Sequence, residues 1–208
     1  MFEEILSKRA IEVVESLSHH LDTFYLADGT GLALQLGHRR SDDMDFFSDR
    51  LFNTDAMLSL IPVDKVLFTA LGTVHCEIKD IRISLLYYDV PLIHPPLSWH
   101  GISVAHLKDI VAEKIKAVSQ RGSKKDFIDL YAVLKMRHSV PEVCELFKRR
   151  FKGSDINFYH VLKSLTFFED AEQEPLPLIL SPGENWKWEN IKSFFIDNIS
   201  LFEHELGL

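Results

Sequence analysis

Hydrophobic spacing divides the chain into a first half with strand-like alternation and a second half with helical periodicity. Three segments alternate well enough to predict strands, namely residues 65 to 70, 73 to 79 and 81 to 87. Gly72 and Lys79-Asp80 separate these strands, which predicts a meander. Helical periodicity then predicts helices at about 105 to 121, 124 to 138, 141 to 152 and 156 to 168.

The first fifty residues predict alternating helices and strands. The predicted order is an amphipathic helix over 3 to 19, a β-prone run over 24 to 27, a short helix over 30 to 36, and a strand containing Met44, Phe46 and Phe47. Asp28-Gly29 breaks the β-prone run, so the pattern there is strand, tight turn and helix. Gly37 closes the short helix.

These elements together predict an α/β (α+β) protein with two parts. The proline-containing stretch 91 to 96 ends the strand pattern, and helical periodicity follows it. We therefore expect a strand-rich domain over 1–100 and a helical C-terminal domain over 101–208. A last amphipathic helix, over about 186 to 206, would either complete the core or bury a partner surface.

Composition indicates a soluble cytoplasmic protein. The 208 residues contain no apolar run long enough to span a bilayer, so we expect no membrane contact. The N-terminus carries Glu3 and Glu4 where a secretory signal would carry basic residues. Cys76 and Cys144 have no CxxC partner, which is typical of free thiols in a reducing compartment.

Charge is distributed unevenly, although the formal net charge is −8. From residue 165 onward nine acids face two lysines, whereas residues 105 to 152 contain twelve Lys or Arg and six Asp or Glu. The basic segment could hold phosphates, or it could be a pair of helices with solvated basic faces. The acidic C-terminal segment could dock on a basic partner or fold over the chain's own basic segment.

Asp43 and Asp45 are the first candidates for chemistry. Two residues apart on a strand, their carboxylates face the same side and repel each other by about 1 to 4 kcal/mol at about 4 Å. A divalent cation such as Mg²⁺ would relieve this repulsion and could keep phosphate oxygens in its remaining positions. A solvated strand end is the alternative.

The segment before these acids offers a phosphate site. Gly29-Thr30 enters a helix whose unbonded N–H groups and positive dipole end can face a phosphate. Between the two features lies His38-Arg39-Arg40-Ser41, which has the cationic and hydroxyl capacity to contact a triphosphate. A basic surface loop would have the same sequence.

The helical half contributes charged residues on apolar faces. Lys114 lies on the same helical face as Leu107, Ile110, Val111 and Val118. It must therefore snorkel, meet a carboxylate, or point into a phosphate-bearing cleft. In the run 125 to 129, Asp126 and Asp129 are neighbours on one helix face, and Lys125 can pair with Asp129. Asp126 could act as a base, or it could simply stabilise a helix N-terminus.

The ordered combination of these motifs resembles the AbiEii/AbiGii family of nucleotidyltransferase toxins. The motifs are Leu26-Ala27-Asp28-Gly29-Thr30-Gly31-Leu32-Ala33-Leu34, Gly37-His38-Arg39-Arg40-Ser41, Asp43-Met44-Asp45-Phe46-Phe47, Lys114 and Lys125-Asp126-Phe127-Ile128-Asp129-Leu130-Tyr131. The resemblance spans about residues 24 to 135. It implies a polymerase-β-like nucleotidyltransferase core with a mixed sheet.

The resemblance also implies roles for the candidate residues. Asp43 and Asp45 would bind Mg²⁺ or Mn²⁺, and Lys114 and Asp126 would assist catalysis. The implied nucleotide-binding residues are Gly29, Thr30, Arg39, Ser41 and Lys125. Members of the family act in type IV toxin–antitoxin or abortive-infection systems, transferring a nucleotide from a nucleoside triphosphate to a target such as tRNA and opposed by a separately encoded antitoxin.

Two departures from the family pattern bear on turnover. Asp28 occupies the position of the first glycine of the usual pair, and Ser84 occupies the expected position of a third carboxylate. From the resemblance as a whole we expect a metal-dependent enzyme that transfers a nucleotide to an RNA or a protein acceptor. The alternative is a catalytically weakened protein of the same fold that binds a nucleotide or a partner.

Overall fold

The computed structural model describes residues 1–180 and 184–208 as two compact units. The first unit contains residues 1–35 and 41–106, and the second contains residues 36–40 and 107–208. No helix in the described ranges is long and apolar enough to cross a bilayer.

The first unit is built on a mixed seven-stranded sheet with the strand order β3-β4-β5-β2-β1-β7-β6. The strands are β1 (Tyr25–Leu26), β2 (Met44–Ser48), β3 (Lys65–Ala70), β4 (Thr73–Ile78), β5 (Ile81–Tyr87), β6 (Leu97–Trp99) and β7 (Ile102–Val104). Strands β3, β4 and β5 pair antiparallel in sequence order, which confirms the predicted meander. β2 then pairs parallel to β5 and antiparallel to β1, so the sheet is mixed as expected.

Backbone conformation at the turns explains this meander. Gly72 adopts φ +65° between β3 and β4, a left-handed conformation that costs glycine little. Lys79 and Asp80, between β4 and β5, both have positive φ. A two-residue type I′ hairpin loop requires this conformation, and its backbone twist matches the twist of the flanking strands.

Three helices belong to the sheet-containing part of the chain. They are α1 (Lys8–Leu17), α2 (Asp28–Leu36) and α3 (Thr54–Leu60). The predicted opening helix is interrupted because Ser7 caps α1, and its side chain accepts a hydrogen bond from the Ala10 N–H. α2 begins at Asp28 rather than Thr30, so Asp28 and Gly29 lie in its first turn. α3, β6 and β7 are short elements that the periodicity did not reveal.

The second unit is helical. Its helices are α4 (Leu107–Gln120), α5 (Lys124–Met136), α6 (Val140–Arg150), α7 (Phe158–Ser164), α8 (Glu169–Glu172), α9 (Trp188–Asp197) and α10 (Ile199–Leu206). The predicted long C-terminal helix is two helices. The break falls at Asn198, whose side-chain amide donates to the Phe194 carbonyl and competes with the helical pattern.

Aromatic side chains of the last helices complete the core of this unit. Phe127 on α5 contacts Trp188 and Phe195 on α9, with ring centroids 5.9 Å and 5.4 Å apart. Phe202 on α10 is fully buried and stacks on Phe195. The C-terminal helices therefore supply core, which decides between the two alternatives left open by the sequence.

The segment 36–40 joins the second unit through its backbone. Arg40 N–H donates to the Leu178 carbonyl, and Leu180 N–H donates to the His38 carbonyl. Arg39 forms an isolated antiparallel bridge with Ile179. The two paired segments, 38–40 and 178–180, are far apart in the sequence, and no local pattern predicts their pairing.

Candidate functional site

In the first unit, the entry to α2 and the start of β2 are held side by side. The Ala27 N–H donates to the Asp45 carbonyl at 3.0 Å, directly before α2 begins. Gly31 N–H makes the first helical bond to the Ala27 carbonyl. The N–H groups of the preceding turn therefore have no helical acceptor, which is the usual anion-binding property of a helix start.

Thr30 connects this helix to the loop that carries the first acid. Its hydroxyl donates to the Asp43 carbonyl and lies 2.7 Å from the Ser41 hydroxyl. Because the one hydroxyl proton of Thr30 is used on Asp43, Ser41 is the donor of the second bond. Thr30 is buried, and its side chain fixes the loop, while its backbone N–H belongs to the helix start.

Asp43 and Asp45 lie on the accessible side of β2. Met44, Phe46 and Ser48 are buried, and Asp45 alternates with them as a half-buried residue. Asp43 precedes the strand by one residue and is exposed. Strand alternation therefore places both carboxylates on the face opposite the buried Met44 and Phe46 side chains.

Neighbouring strands place Ser84 and His75 in the same row as Asp45. Asp45 is paired in register with Ser84 on β5, and Ser84 is paired with His75 on β4. The Ser84 hydroxyl and the His75 Nδ1 lie 3.0 Å apart. Ser84 thus lies beside Asp45 on the neighbouring strand, where a third carboxylate was expected, and its own neighbour is His75, for which the sequence predicted no role.

The second unit contains a separate, buried cluster centred on Asp129. Arg39 binds this carboxylate in a bidentate manner, with Nε 2.6 Å from Oδ1 and Nη2 2.9 Å from Oδ2. Lys114 Nζ lies 2.9 Å from Oδ2, and His38 Nε2 lies 2.8 Å from Oδ1. All four residues are almost completely buried. We call His38, Arg39, Lys114, Asp126 and Asp129 the charge cluster.

The charges in this cluster set the protonation of its members. Burial alone would raise the pKa of Asp129, but Arg39 and Lys114 outweigh it and hold that pKa well below its usual range. Burial lowers the pKa of His38 more than Asp129 raises it, so the imidazole is neutral. Its Nε2–H donates to Asp129, while the buried Nδ1 has no hydrogen-bond partner within the described part of the chain.

Asp126 extends the charge cluster towards the start of α5. Its carboxylate accepts from Arg121 Nε at 2.6 Å, from the Ser123 hydroxyl at 2.7 Å and from Lys114 at 3.2 Å. Burial opposes ionisation, but Arg121 and Lys114 prevail, and the pKa of Asp126 is lowered. Ser123 caps the helix by accepting from the Asp126 N–H. Asp126 is therefore both a helix-start residue and the partner of two cations.

The structure thus sorts the predicted site residues into two groups. Gly29, Thr30, Ser41, Asp43 and Asp45 belong to the first unit, where hydrogen bonds bring them together. Arg39, Lys114, Lys125 and Asp126 belong to the second unit.

Within the second group, accessibility separates Lys125 from the rest. Arg39, Lys114 and Asp126 are buried and ion-paired, while Lys125 is exposed. Lys114 therefore meets a carboxylate, which was one of the three possibilities open to it.

Asp28 has a backbone conformation that explains why a glycine is usual at this position. Its φ of +48° lies in the left-handed region, which is uncommon for residues other than glycine but tolerated by Asp and Asn. The substitution keeps the turn and adds a half-buried carboxylate at the helix start. Such a carboxylate would compete with a phosphate for the same N–H groups.

Comparison with known proteins places this chain in a family. The family model described as nucleotidyl transferase AbiEii toxin, type IV TA system, matches residues 77–201. This range covers the helical unit and the end of the meander, and it begins after Asp43 and Asp45. An uncharacterized protein of Aquifex aeolicus is 36% identical over 197 residues, covering 90% of this chain and 91% of its own.

Solved structures agree on the fold. MenT4, a nucleotidyltransferase toxin from Mycobacterium tuberculosis, superposes with a TM-score of 0.60 at 16% identity, covering 92% of this chain and 82% of its own. JHP933 from Helicobacter pylori superposes with a TM-score of 0.53 at 19% identity, covering 97% and 94%. At these identities the likeness establishes a nucleotidyltransferase fold alone.

Proposed function

Since this chain belongs to the AbiEii family of type IV nucleotidyltransferase toxins, we propose that it transfers a nucleotide from a nucleoside triphosphate to an RNA or protein acceptor. The observation that carries this proposal is the bonded arrangement of the α2 start and the β2 carboxylates. Thr30 holds the backbone of Asp43, and Ala27 holds the backbone of Asp45. The start of α2, with N–H groups suited to a phosphate, is thereby held beside the two acids in one structural unit.

Asp43 and Asp45 are proposed as the ligands of a divalent metal ion. Two carboxylates on one strand face fit Mg²⁺ or Mn²⁺, which prefer oxygen donors and keep positions for water and phosphate. The described residues contain no group of three or more His, Cys, Asp or Glu side chains arranged for a metal ion. The proposed ion would take its protein ligands from Asp43 and Asp45. When bound, the ion would stabilise negative charge on the phosphate oxygens.

The proposed reaction is a displacement at the α-phosphorus. An acceptor hydroxyl oxygen forms a bond to that phosphorus, the bond to the β-phosphate bridging oxygen breaks, and pyrophosphate leaves with the electron pair. The hydroxyl proton passes to solvent. The N–H groups at the start of α2 would orient the triphosphate, since they point outward without helical acceptors.

For the charge cluster we propose a supporting role. Asp126 is ionised, and its lowered pKa makes it a weak proton acceptor. Lys114 is held by two carboxylates, so its charge is balanced within the second unit. Both residues would then act on the reaction by fixing the segment that carries Arg39 and precedes Ser41.

The cellular setting follows from the same family membership. We propose that the protein acts in the cytoplasm and is opposed by a separately encoded antitoxin. The two cysteines are buried free thiols, with pKa values raised by burial to about 11 for Cys76 and about 12 for Cys144. Such thiols are typical of a reducing compartment.

A labelling experiment tests the proposed function. Purified protein is incubated with each α-³²P-labelled nucleoside triphosphate, Mg²⁺ or Mn²⁺, and total tRNA, and label is followed in RNA and in protein. The double variant Asp43→Ala/Asp45→Ala should lose the label by at least about a hundredfold. Asp49→Ala, an exposed acid just beyond β2, is the matched control and should keep it. Label that persists in the double variant would refute the metal-site assignment.

Nucleotide binding without turnover is the second candidate function, and Ser84 is the observation that favours it. Ser84 lies in register with Asp45, where a third carboxylate would be expected, and faces His75 instead. Calorimetry with a nucleoside triphosphate would then show metal-dependent binding in the absence of any transfer. Ser84→Asp distinguishes nucleotide transfer from binding without turnover. The added carboxylate should create or increase transfer only if the lack of a third carboxylate limits turnover in the unchanged protein.

A further inference from the structure

His75 forms one row with Asp45 and Ser84 across three neighbouring strands of the first unit. Asp45 on β2 is paired in register with Ser84 on β5, and Ser84 is paired in register with His75 on β4. Side chains that lie opposite each other on adjacent strands point to the same face of a sheet. All three residues are half-buried, so the row remains accessible on the face that carries the two acids.

The strand order places His75 and the start of α2 on opposite sides of Asp45. β2 lies between β1 and β5, and β4 lies beyond β5. α2, which would hold the triphosphate, follows β1 in the chain. In-line displacement requires the attacking oxygen and the leaving pyrophosphate to lie on opposite sides of the α-phosphorus. A triphosphate held at α2 therefore leaves the side of β5 and β4 to the acceptor hydroxyl.

The spacing of the row suits a reaction between its two ends. Neighbouring strands lie about 4.8 Å apart, so the backbones of Asp45 and His75 are separated by about 10 Å. Ser84 lies between them and has a short side chain. This spacing leaves room for a phosphate and a hydroxyl oxygen between the carboxylate and the imidazole. His75 can then reach the hydroxyl directly or through one water.

Ser84 orients the imidazole of His75. The Ser84 hydroxyl oxygen lies 3.0 Å from His75 Nδ1, and on the other side the Phe68 ring centre lies 6.0 Å from the imidazole centre. His75 Nε2 makes no hydrogen bond within the part of the chain that the structure describes. When Nδ1–H donates to Ser84, Nε2 carries the lone pair, and this tautomer can accept a proton.

The charged side chains around His75 lie in the next row of the same face. Glu77 on β4 is 3.9 Å from Lys65 on β3 and is paired in register with Arg82 on β5. These three charges therefore neighbour one another. His75 itself is flanked by a hydroxyl on β5 and a phenyl ring on β3. Its Nε2 is thus left to a molecule bound over the row.

From this arrangement we propose that His75 accepts the proton of the acceptor hydroxyl during nucleotide transfer. The hydroxyl oxygen forms its bond to the α-phosphorus while its proton moves to Nε2. The bond from this phosphorus to the bridging oxygen breaks, and pyrophosphate leaves with the electron pair. The imidazolium then releases the proton to solvent. This inference rests on the proposed function and identifies the side chain that receives the proton first.

Initial rates of label incorporation, in the labelling assay with Mg²⁺ and total tRNA, test this role. His75→Gln keeps a side chain that can hydrogen-bond to Ser84 but cannot take up a proton, so the rate should fall at least about a hundredfold. His20→Gln, the same substitution at an exposed position of the first unit, should keep the rate within about twofold. Calorimetry should show nucleoside triphosphate binding within about twofold of the unchanged protein for both variants, because neither residue belongs to the phosphate site.

Added imidazole separates proton transfer from a structural role. His75→Ala leaves space for a small base, and its rate should rise with the concentration of neutral imidazole and not with that of imidazolium. Asp43→Ala/Asp45→Ala should show no such recovery, because those variants keep His75 and lack the acids.

The outcomes distinguish His75 from the proposed function. If His75→Gln transfers within about threefold of the unchanged protein while Asp43→Ala/Asp45→Ala is inactive, the base assignment is wrong and the proposed function stands. Lost activity that imidazole does not restore in His75→Ala, together with a lower urea midpoint, would make His75 a structural residue and overturn the assignment. Equal recovery with imidazolium would replace the base by a cation. If the unchanged protein incorporates no label, the proposed function fails and the role of His75 fails with it.

Discussion

Asp129 is the residue whose environment most constrains the second unit. A single buried carboxylate pairs with both Arg39 and Lys114 and orients the neutral imidazole of His38. Removing one partner from a buried ion pair is costly because the remaining charges cannot be solvated. The interaction also anchors a segment ninety residues earlier in the chain, so its loss should be felt beyond α5.

We expect Asp129→Asn to lower the free energy of unfolding by about 3 to 5 kcal/mol, because Arg39 loses its buried carboxylate partner and Lys114 keeps only that of Asp126. Urea denaturation followed by circular dichroism measures this change. Asp170→Asn, the same substitution at an exposed acid, should stay within about 0.5 kcal/mol. Equal effects of the two variants would show that the charge cluster contributes nothing beyond surface electrostatics.

His100 provides a pH-dependent contact within the first unit. Its Nδ1 lies 2.8 Å from Glu15 and its Nε2 lies 2.9 Å from Glu3, and Glu3 also accepts from the Trp99 indole. Hydrogen bonding to Glu3, with Glu15 adding to it, raises the pKa of His100. Both ring nitrogens can donate at once only when the imidazole is protonated.

A raised folded-state pKa means that this stabilisation is complete below the unfolded value of about 6.5 and is lost as pH rises through the folded value. Unfolding by urea at pH 6 and pH 8.5 should therefore show a larger loss for the unchanged protein than for His100→Asn. Asn is the suitable replacement because His100 has φ +44°, which Asn tolerates. A pH dependence unchanged by His100→Asn would refute this role.

The candidate site residues could be chosen from the sequence, but several of the side chains that they contact could not. The two-residue spacing of Asp43 and Asp45 predicts that both lie on one face of a strand. Ser84 was expected on a neighbouring strand, and β5 pairs it with Asp45 on β2. His75 alternates with the buried Val74 and Cys76 on β4, and this alternation is the local signal for a side chain on the polar side of the strand. The His38 and Arg39 contacts to Asp129 depend on a tertiary pairing of distant segments, and no periodicity encodes such a pairing.

At the scale of elements, the β3–β4 hairpin depends on Gly72 for two separate reasons. Its φ of +65° disfavours a side chain, and an added Cβ would lie 2.7 Å from the Tyr87 Cβ and 2.9 Å from a Leu51 methyl. Gly153 shares the first constraint, with φ +82°, but nothing lies within 4 Å of an added Cβ. The two glycines therefore separate backbone strain from steric overlap.

Gly153→Ala should cost about 1 to 2 kcal/mol through backbone strain alone. Gly72→Ala should cost at least about 1 kcal/mol more, because Tyr87 and Leu51 must move. Thermal and urea unfolding of the two variants gives the comparison directly. If the costs are equal, the packing around Gly72 yields without penalty and strain alone accounts for the glycine.

Elements with strong periodicity were predictable, and short or interrupted ones were not. β4, β5 and α4 to α6 satisfy their patterns over six or more residues, and the capping box of Ser139 and Glu142 starts α6. β6 and β7 have three residues each, too few to show an alternation. α9 and α10 are separated at Asn198, whose side-chain amide donates to the Phe194 carbonyl. The apolar residues keep helical spacing across this break, so the spacing alone predicts one continuous helix.

For the whole molecule, the acidic C-terminal segment is a structural part of the second unit. Glu172 accepts from the Trp188 indole and from Lys192, and Glu174 accepts from the Lys124 backbone. Three aromatic side chains of the same segment are buried: Trp188, Phe195 and Phe202. Through Glu174 the segment thus contacts the backbone of Lys124 in the basic range, while the aromatic side chains between the acids fill the core.

Deleting residues 169–208 should consequently unfold the second unit, whereas self-inhibition would predict a folded and more active protein. Loss of three buried aromatic side chains removes about 3 to 5 kcal/mol each, a total comparable with the whole stability of an ordinary domain, about 5 to 15 kcal/mol. Circular dichroism, urea unfolding and the nucleotide-labelling assay distinguish the two outcomes. Glu189→Gln/Asp197→Asn/Glu203→Gln is the matched control, because it removes exposed charge and leaves the core intact. If the truncated chain unfolds cooperatively and labels more acceptor, the packing argument fails; if only the charge variant gains activity, the acids restrain the enzyme electrostatically.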